Sequence, residues 1–138
     1  MESKTISCLI DSSALLALID QSDPSFNRAN EVFEHIKLKN MQAILSDYVL
    51  QETFAMLLFK QKGDLLLPVL SLLQADPLFT LIDIDLQTLS KTIEFAQTKS
   101  FKPKLSFTNW TLVYLSTSLH LPVITFNKQL RDLCKISA

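Results

Sequence analysis

Four short stretches of this chain place polar side chains just after, or just before, apolar runs. Ile10 is followed by Asp11, Ser12 and Ser13. Leu45 is followed by Ser46 and Asp47, with Glu52 about a turn and a half further on. Ile124 is followed by Thr125-Phe126-Asn127, and Ser106-Phe107-Thr108-Asn109 opens the segment that leads into that run. If the apolar runs are parallel strands, these groups stand near the strands' carboxyl ends, where an open α/β sheet gathers its ligands and catalytic groups. Each residue also has a plainer role. Asp11 can cap a helix starting at Ser12, Glu52 can be a solvated helix residue, Asn109 a first-turn polar residue and Asn127 a cap for the last helix. Asp20, Asp23, Asp83 and Asp85 read as loop and cap residues. No pair is specific alone; the weight rests on the joint pattern.

Composition removes other chemistries. The single glycine, Gly63, excludes the glycine-rich phosphate loops of P-loop, dinucleotide-binding and kinase folds. Two histidines (His35, His120) and two cysteines (Cys8, Cys134) have no zinc-site spacing and form no C-x-x-C pair. Zinc-dependent base deaminases fall with them. Both cysteines sit among apolar neighbours and read as buried thiols, with a disulfide between them left open. A formal charge of −1 excludes nucleic-acid binding by bulk electrostatics, so any such contact needs a local patch. Met1 to Lys4 carry no net positive charge, Asp11 interrupts the first apolar run, and Leu65 to Leu73 is too short for a membrane span and contains Pro68. A soluble cytoplasmic protein with no membrane contact is expected.

The elements that must position these residues follow from periodicity. Ile6 to Ile10 predicts a buried strand, Ser12 to Asp20 and Pro24 to Leu38 helices, and Gln42 to Leu45 a second strand. Ser46 caps a helix closing near Gly63. Asp64 opens a leucine-rich helix toward Gln74, and Leu78 to Ile82 is a third strand. Asp85 caps a helix to about Lys99, a polar loop holds Lys102, Pro103 and Lys104, and Ser106 to Leu119 is helical. Pro122 to Phe126 is a fourth strand, a short helix starts at Asn127, and Leu133 to Ile136 is a candidate fifth strand. With 138 residues, 48% of them hydrophobic, and no hairpin signal, this predicts one domain over residues 1–138. The expected fold is a three-layer α/β/α arrangement around a parallel four- to five-stranded sheet.

In order and spacing, these pieces resemble the PIN domain family, the compact nucleases that include VapC-type toxins. CLIDSSALLALID is similar to the family's opening strand, first acid and helix start. Asp23 and Ala29 continue the likeness, and LSDYVLQE resembles the segment carrying the second acid. LSFTNWTLVYLSTSLHLPVITFNKQL resembles the closing signature: polar helix start, helix, Leu-Pro strand and Thr-Phe-x turn. The resemblance implies a parallel-sheet fold and an acidic site binding one or two Mg²⁺ or Mn²⁺ ions that activate water to cleave RNA. Carried over, Asp11 is the first acid and Glu52 the second, while Asn109 and Asn127 stand where the third and fourth belong. The implied metal ligands are Asp11 and Glu52, with Asn109 and Asn127 as weak carbonyl ligands and Ser12 and Thr125 in support. Lys99, Lys102 and Lys104 are candidate contacts to an RNA backbone.

Two amides in place of acids weaken such a site. A carboxylate about 4 Å from a cation contributes on the order of 4 kcal/mol per unit charge at an effective dielectric near 20. Recovering only a third of that still means roughly tenfold in affinity per lost charge. Trp110 adds bulk beside Asn109, either against the pocket or in a core gap. Two readings therefore stand: a metal-dependent endoribonuclease, or a PIN domain that has lost hydrolysis and binds RNA, a second copy or an antitoxin-like protein. A receiver-like phosphoacceptor is disfavoured, because serines follow Asp11 and no lysine follows the last strand at the required place. The Leu65 to Leu73 run, apolar nearly all round, is expected at a homodimer contact.

Overall fold

A computed structural model describes residues 6–134. Strand β1 (Ser7–Ile10) leads into helix α1 (Ser12–Ile19), followed by α2 (Phe26–Leu38), β2 (Gln42–Ser46) and α3 (Asp47–Phe59). A single 3₁₀ turn (Gly63–Leu65) precedes α4 (Leu66–Ala75), and β3 (Phe79–Ile82) and α5 (Leu86–Thr98) follow. The chain ends with α6 (Phe107–Leu119), β4 (Val123–Ile124) and α7 (Lys128–Cys134). All strand pairs are parallel and the sheet order is β3-β2-β1-β4. The chain walks outward from β1 through β2 to β3, then returns to place β4 on the other side of β1. That reversal makes the crevice between the ends of β1 and β4 the topological switch point, the place where such sheets bind.

Buried strands without polar interruption place Cys8, Leu9, Ile10, Ala43, Leu45, Val123 and Ile124 in the core, against Leu15, Val49, Leu57, Leu112 and Leu130 from the helices. Side-chain oxygens set the helix starts: Asp11 caps α1, Ser46 caps α3, Asp85 caps α5 and Ser106 caps α6, each accepting a backbone N–H three residues on. Because these caps stand at the carboxyl ends of strands or in the loops nearby, the residues after them fall at one edge of the sheet.

Several expected boundaries move, each for a local reason. The candidate fifth strand is not formed where the structure describes it: Leu133 and Cys134 end α7, and Lys135 and Ile136 lie outside the described residues. Helix wins there because Asn127 caps it and Leu130 and Cys134, four apart, both turn into the core. The fourth strand shortens from Pro122–Phe126 to Val123–Ile124, since Thr125 and Phe126 make hydrogen bonds to the end of β1 instead of a ladder. Helix α2 starts at Phe26 rather than Pro24, because the Asp23 carboxylate and carbonyl hold a turn through Ser25 and Phe26. Helix α3 ends at Phe59, and its reversal uses Gln61 with φ 60° instead of the glycine. Gly63 has no positive φ; a Cβ there would lie 3.3 Å from the Leu58 side chain. Pro68 does not break α4. It sits in the first turn, where its missing N–H has no helical partner to lose. Cys8 and Cys134 are free and buried, and burial pushes the Cys8 thiol up to about 11. No described helix is long and apolar enough to cross a membrane.

Candidate functional site

Asp11 follows the last residue of β1 and is 1% exposed. Its Oδ1 accepts the Ala14 N–H at 2.8 Å, which caps α1. The Ser13 hydroxyl donates to Oδ1 and Oδ2 at 2.8 and 2.9 Å, and the Thr125 hydroxyl donates to Oδ2. The Ser13 hydrogen is shared between the two oxygens, so three donor hydrogens face the roughly four lone-pair sites an ionised carboxylate offers. Burial pushes the carboxyl up from its ordinary value; the bonds from Thr125, Ala14 and Ser13 oppose that, and the negative Glu52 nearby adds to it.

The hydroxyls that fill Asp11 also stitch the switch point together. Ser13 Oγ accepts the Phe126 N–H at 2.9 Å, and Thr125 Oγ1 accepts the Asn127 N–H at 2.9 Å. The Asp11 N–H donates to the Ile124 carbonyl at 3.2 Å, and the Arg131 guanidinium donates to the Thr125 carbonyl at 2.9 Å. Ser13 and Arg131 had no role in the sequence reading beyond their positions. Ser13 leaves a trace there, a hydroxyl two residues after a capping acid; Arg131 leaves none.

Glu52 lies on α3, held in register by the Ser46 cap. Its Oε1 accepts the Ser12 hydroxyl at 2.5 Å, so a residue adjacent to Asp11 in sequence ties the second acid to the first. A hollow of about 540 Å³, lined by Tyr48, Gln51, Glu52 and Thr108, opens beside it. Asp11, Ser12, Glu52, Thr125 and Asn127 are thus joined in one place by hydrogen bonds and chain adjacency.

Asn109 enters differently. The start of α6 packs near the start of α3, with the Tyr48 and Phe107 rings 6.4 Å apart, and Thr108 shares the hollow with Glu52. The Asn109 side-chain oxygen is buried with no hydrogen-bond partner. Trp110 is 3% exposed within the hydrophobic core, so it fills the core gap rather than the hollow. Asn127 Oδ1 accepts the Leu130 N–H at 3.2 Å and is engaged as the cap of α7. Lys99, Lys102 and Lys104 are exposed around the α5–α6 loop, with Lys99 lying 5.4 Å over the Phe95 ring.

As a donor set for a divalent ion, the arrangement falls short. Two of its members are acids, and among the described residues no three His, Cys, Asp or Glu side chains come together as an ion needs. Asp11 is engaged by three neighbouring donors, Asn127 is turned to a helix, and the charge available to a hard cation is small.

The frame of the site is a parallel sheet whose first strand ends in a capping acid, bonded to a threonine after the last strand and tied to a glutamate on the helix after β2. The PIN domain family model matches residues 8–136, and the chain belongs to the PIN domain family. Its fold is similar to VapC20 of Mycobacterium tuberculosis, described as a sarcin-ricin loop cleaving toxin, at 13% identity and a TM-score of 0.77, covering 91% of this chain and 93% of that one. VapBC2 of Rickettsia felis, solved with a DNA fragment from its promoter, is similar at 12% identity and a TM-score of 0.68, with 96% of each chain covered. A toxin–antitoxin complex from Klebsiella pneumoniae is similar at 17% identity and a TM-score of 0.57, over 90% of this chain and 89% of that one. No curated protein sequence matches this chain.

Proposed function

We propose that this chain is a toxin-type PIN domain that binds instead of cleaving: its switch-point site has given up the hydrolytic ion, and an antitoxin-like protein is its partner. The observation that carries the reading is how far Asp11 is already engaged. Its two oxygens accept three donor hydrogens, from Ala14 N–H, the Ser13 hydroxyl shared between them and the Thr125 hydroxyl, and Asn127 is engaged as a cap. Toxin–antitoxin complexes among the similar structures support the kind of partner.

One observation favours the other reading, a Mg²⁺- or Mn²⁺-dependent endoribonuclease. The buried oxygen of Asn109 is an acceptor without a protein partner. In that reading Glu52 and Asn109 would hold the ion, Asp11 would have to give up a hydroxyl to join them, and Lys99, Lys102 and Lys104 would meet the RNA backbone. The ion would supply an activated water and charge for the transition state.

Calorimetric titration with Mn²⁺, run beside an RNA cleavage assay, separates the two. The proposal expects no saturable Mn²⁺ binding below about 1 mM and no Mn²⁺-dependent cleavage. Binding tighter than about 0.1 mM, with cleavage that Glu52→Gln removes, would overturn it.

A further inference from the structure

Arg28, Val32, His35 and Lys39 follow one another at spacings of three and four along α2 and its C-cap, so they share one face of the helix. Beside this face lies a hollow of about 390 Å³. It shares no side chain with the hydrogen bonds that join Asp11, Ser12, Glu52 and Thr125. Its size falls within the range of roughly 300–1,000 Å³ that small-molecule pockets occupy. The lining divides sharply by chemistry. Val32, Ile36, Met41 and Ile124 are apolar, with Ile36 and Ile124 buried and the other two half-buried. Every remaining side chain is ionisable: Arg28, Glu31, His35 and Lys39.

The charges leave one end of the hollow cationic. Arg28 and Glu31 lie 3.9 Å apart, both exposed, and largely cancel each other. Lys39 remains, with His35 one turn before it. Among the described residues neither takes part in an ion pair; the three that form are Arg28–Glu31, Lys37–Asp76 and Lys62–Asp20. Basic groups at the end of a helix ordinarily serve its last carbonyls. Here the backbone already does so, because the N–H groups of Lys39, Asn40 and Met41 donate to the carbonyls of His35, Lys37 and Ile36 at 3.0, 3.0 and 3.1 Å. The fold therefore makes no use of the Lys39 and His35 side chains that line the hollow. An ammonium offers three donors and a neutral imidazole one, enough to meet both oxygens of a carboxylate.

An apolar lining with donors at one end suits an anionic head on an apolar tail. A polypeptide would bring N–H and C=O groups against side chains that cannot pair with them. An alkyl chain brings none. We infer that this hollow binds an alkyl carboxylate, its chain against Val32, Ile36, Met41 and Ile124 and its carboxylate on Lys39 and His35. The site lies apart from Asp11 and Glu52, so it stands whether or not the chain cleaves RNA and whatever protein partner it has.

Calorimetric titration of the full chain with decanoate, kept below its micelle-forming concentration, tests it. Saturable binding at a single site is expected. Octanoate should bind about fifteenfold more weakly, because two fewer methylenes are buried at roughly fourfold each. Decanol, which lacks the charge, should bind at least about tenfold more weakly than decanoate. Lys39→Glu, at an exposed position, should weaken decanoate by about tenfold or more without changing the circular dichroism spectrum. Lys39→Arg should stay within about threefold of the wild type, since the cation is kept. Lys60→Glu, beside the exposed Phe59 on α3, should leave the affinity unchanged. The absence of saturable decanoate binding, decanol binding as tight as decanoate, or an affinity indifferent to Lys39→Glu would each overturn the inference. Loss of binding in Lys60→Glu would overturn it too, by moving the ligand to the Phe59 surface.

Discussion

Helix α1 carries a buried aspartate at each end, and the two behave in opposite ways. Asp11 at the start and Asp20 at the end are 1% and 3% exposed, and each accepts a hydroxyl from the serine two residues on. Asp20 also holds the Lys62 ammonium at 2.8 and 2.7 Å. That bond, more than the Ser22 bonds beside it, brings its carboxyl down to about 2 against the pull of burial. Asp11 has hydroxyls and an N–H but no cation, and burial keeps its carboxyl raised. Hydrogen bonds to neutral donors fill a buried carboxylate's lone pairs without matching its charge. The end of α1 with Lys62 is a finished ion pair; the end with Asp11 is geometrically complete and electrostatically open.

Breaking the finished end should have the largest effect. Lys62→Met leaves Asp20 buried without its cation and should cost about 3 kcal/mol of stability at pH 7, measured by urea denaturation. Because Asp20 is depressed in the fold, its contribution, about 2 kcal/mol, is present above its ordinary value of 3.8 and is lost as pH falls toward 2. The gap between the variant and the wild type should therefore narrow as pH falls below 3.8 and close only below about pH 2. A gap that stays constant with pH would mean the pair contributes little.

At the open end the sign reverses. A raised carboxyl stabilises the fold below its ordinary value of 3.8, and that share is lost as pH rises through its folded value. Asp11→Ala removes the α1 cap and strands the Ser13 and Thr125 hydroxyls, so it should cost about 2 kcal/mol. Asp11→Asn keeps an acceptor for Ala14 and drops the charge. It should cost less than about 1 kcal/mol at pH 7 and flatten the decline in stability above pH 4. If Asn were as damaging as Ala at pH 7, the cost would lie in geometry and not in unmatched charge.

How far the sequence reading reaches follows the same division between local and distant interactions. The caps Asp11, Ser46, Asp85 and Ser106 are legible because each acts three residues away, and the buried strands because their apolar runs are unbroken. The order β3-β2-β1-β4 puts the switch point where the polar residues after β1 and β4 stand. What stays hidden in the sequence is long-range. Thr125 meets Asp11 across 114 positions, Lys62 meets Asp20 across 42, and Ser13 bonds Asp11 and the Phe126 N–H together. Leu133-Cys134 reads equally well as strand or helix by apolarity, and only burial of Leu130 and Cys134 on one side decides it.

On the proposed reading, the engaged acceptors of Asp11 and the amides at Asn109 and Asn127 leave the site unable to hold a divalent ion. The shift in melting temperature on adding Mn²⁺, compared between the wild type and the double variant Asn109→Asp with Asn127→Asp, tests this. Added carboxylates should lower metal-free stability by mutual repulsion, and an ion binding the folded state should return it. The shift should be near zero for the wild type and several degrees for the double variant. A wild-type shift as large as the variant's would mean that the native site binds the ion.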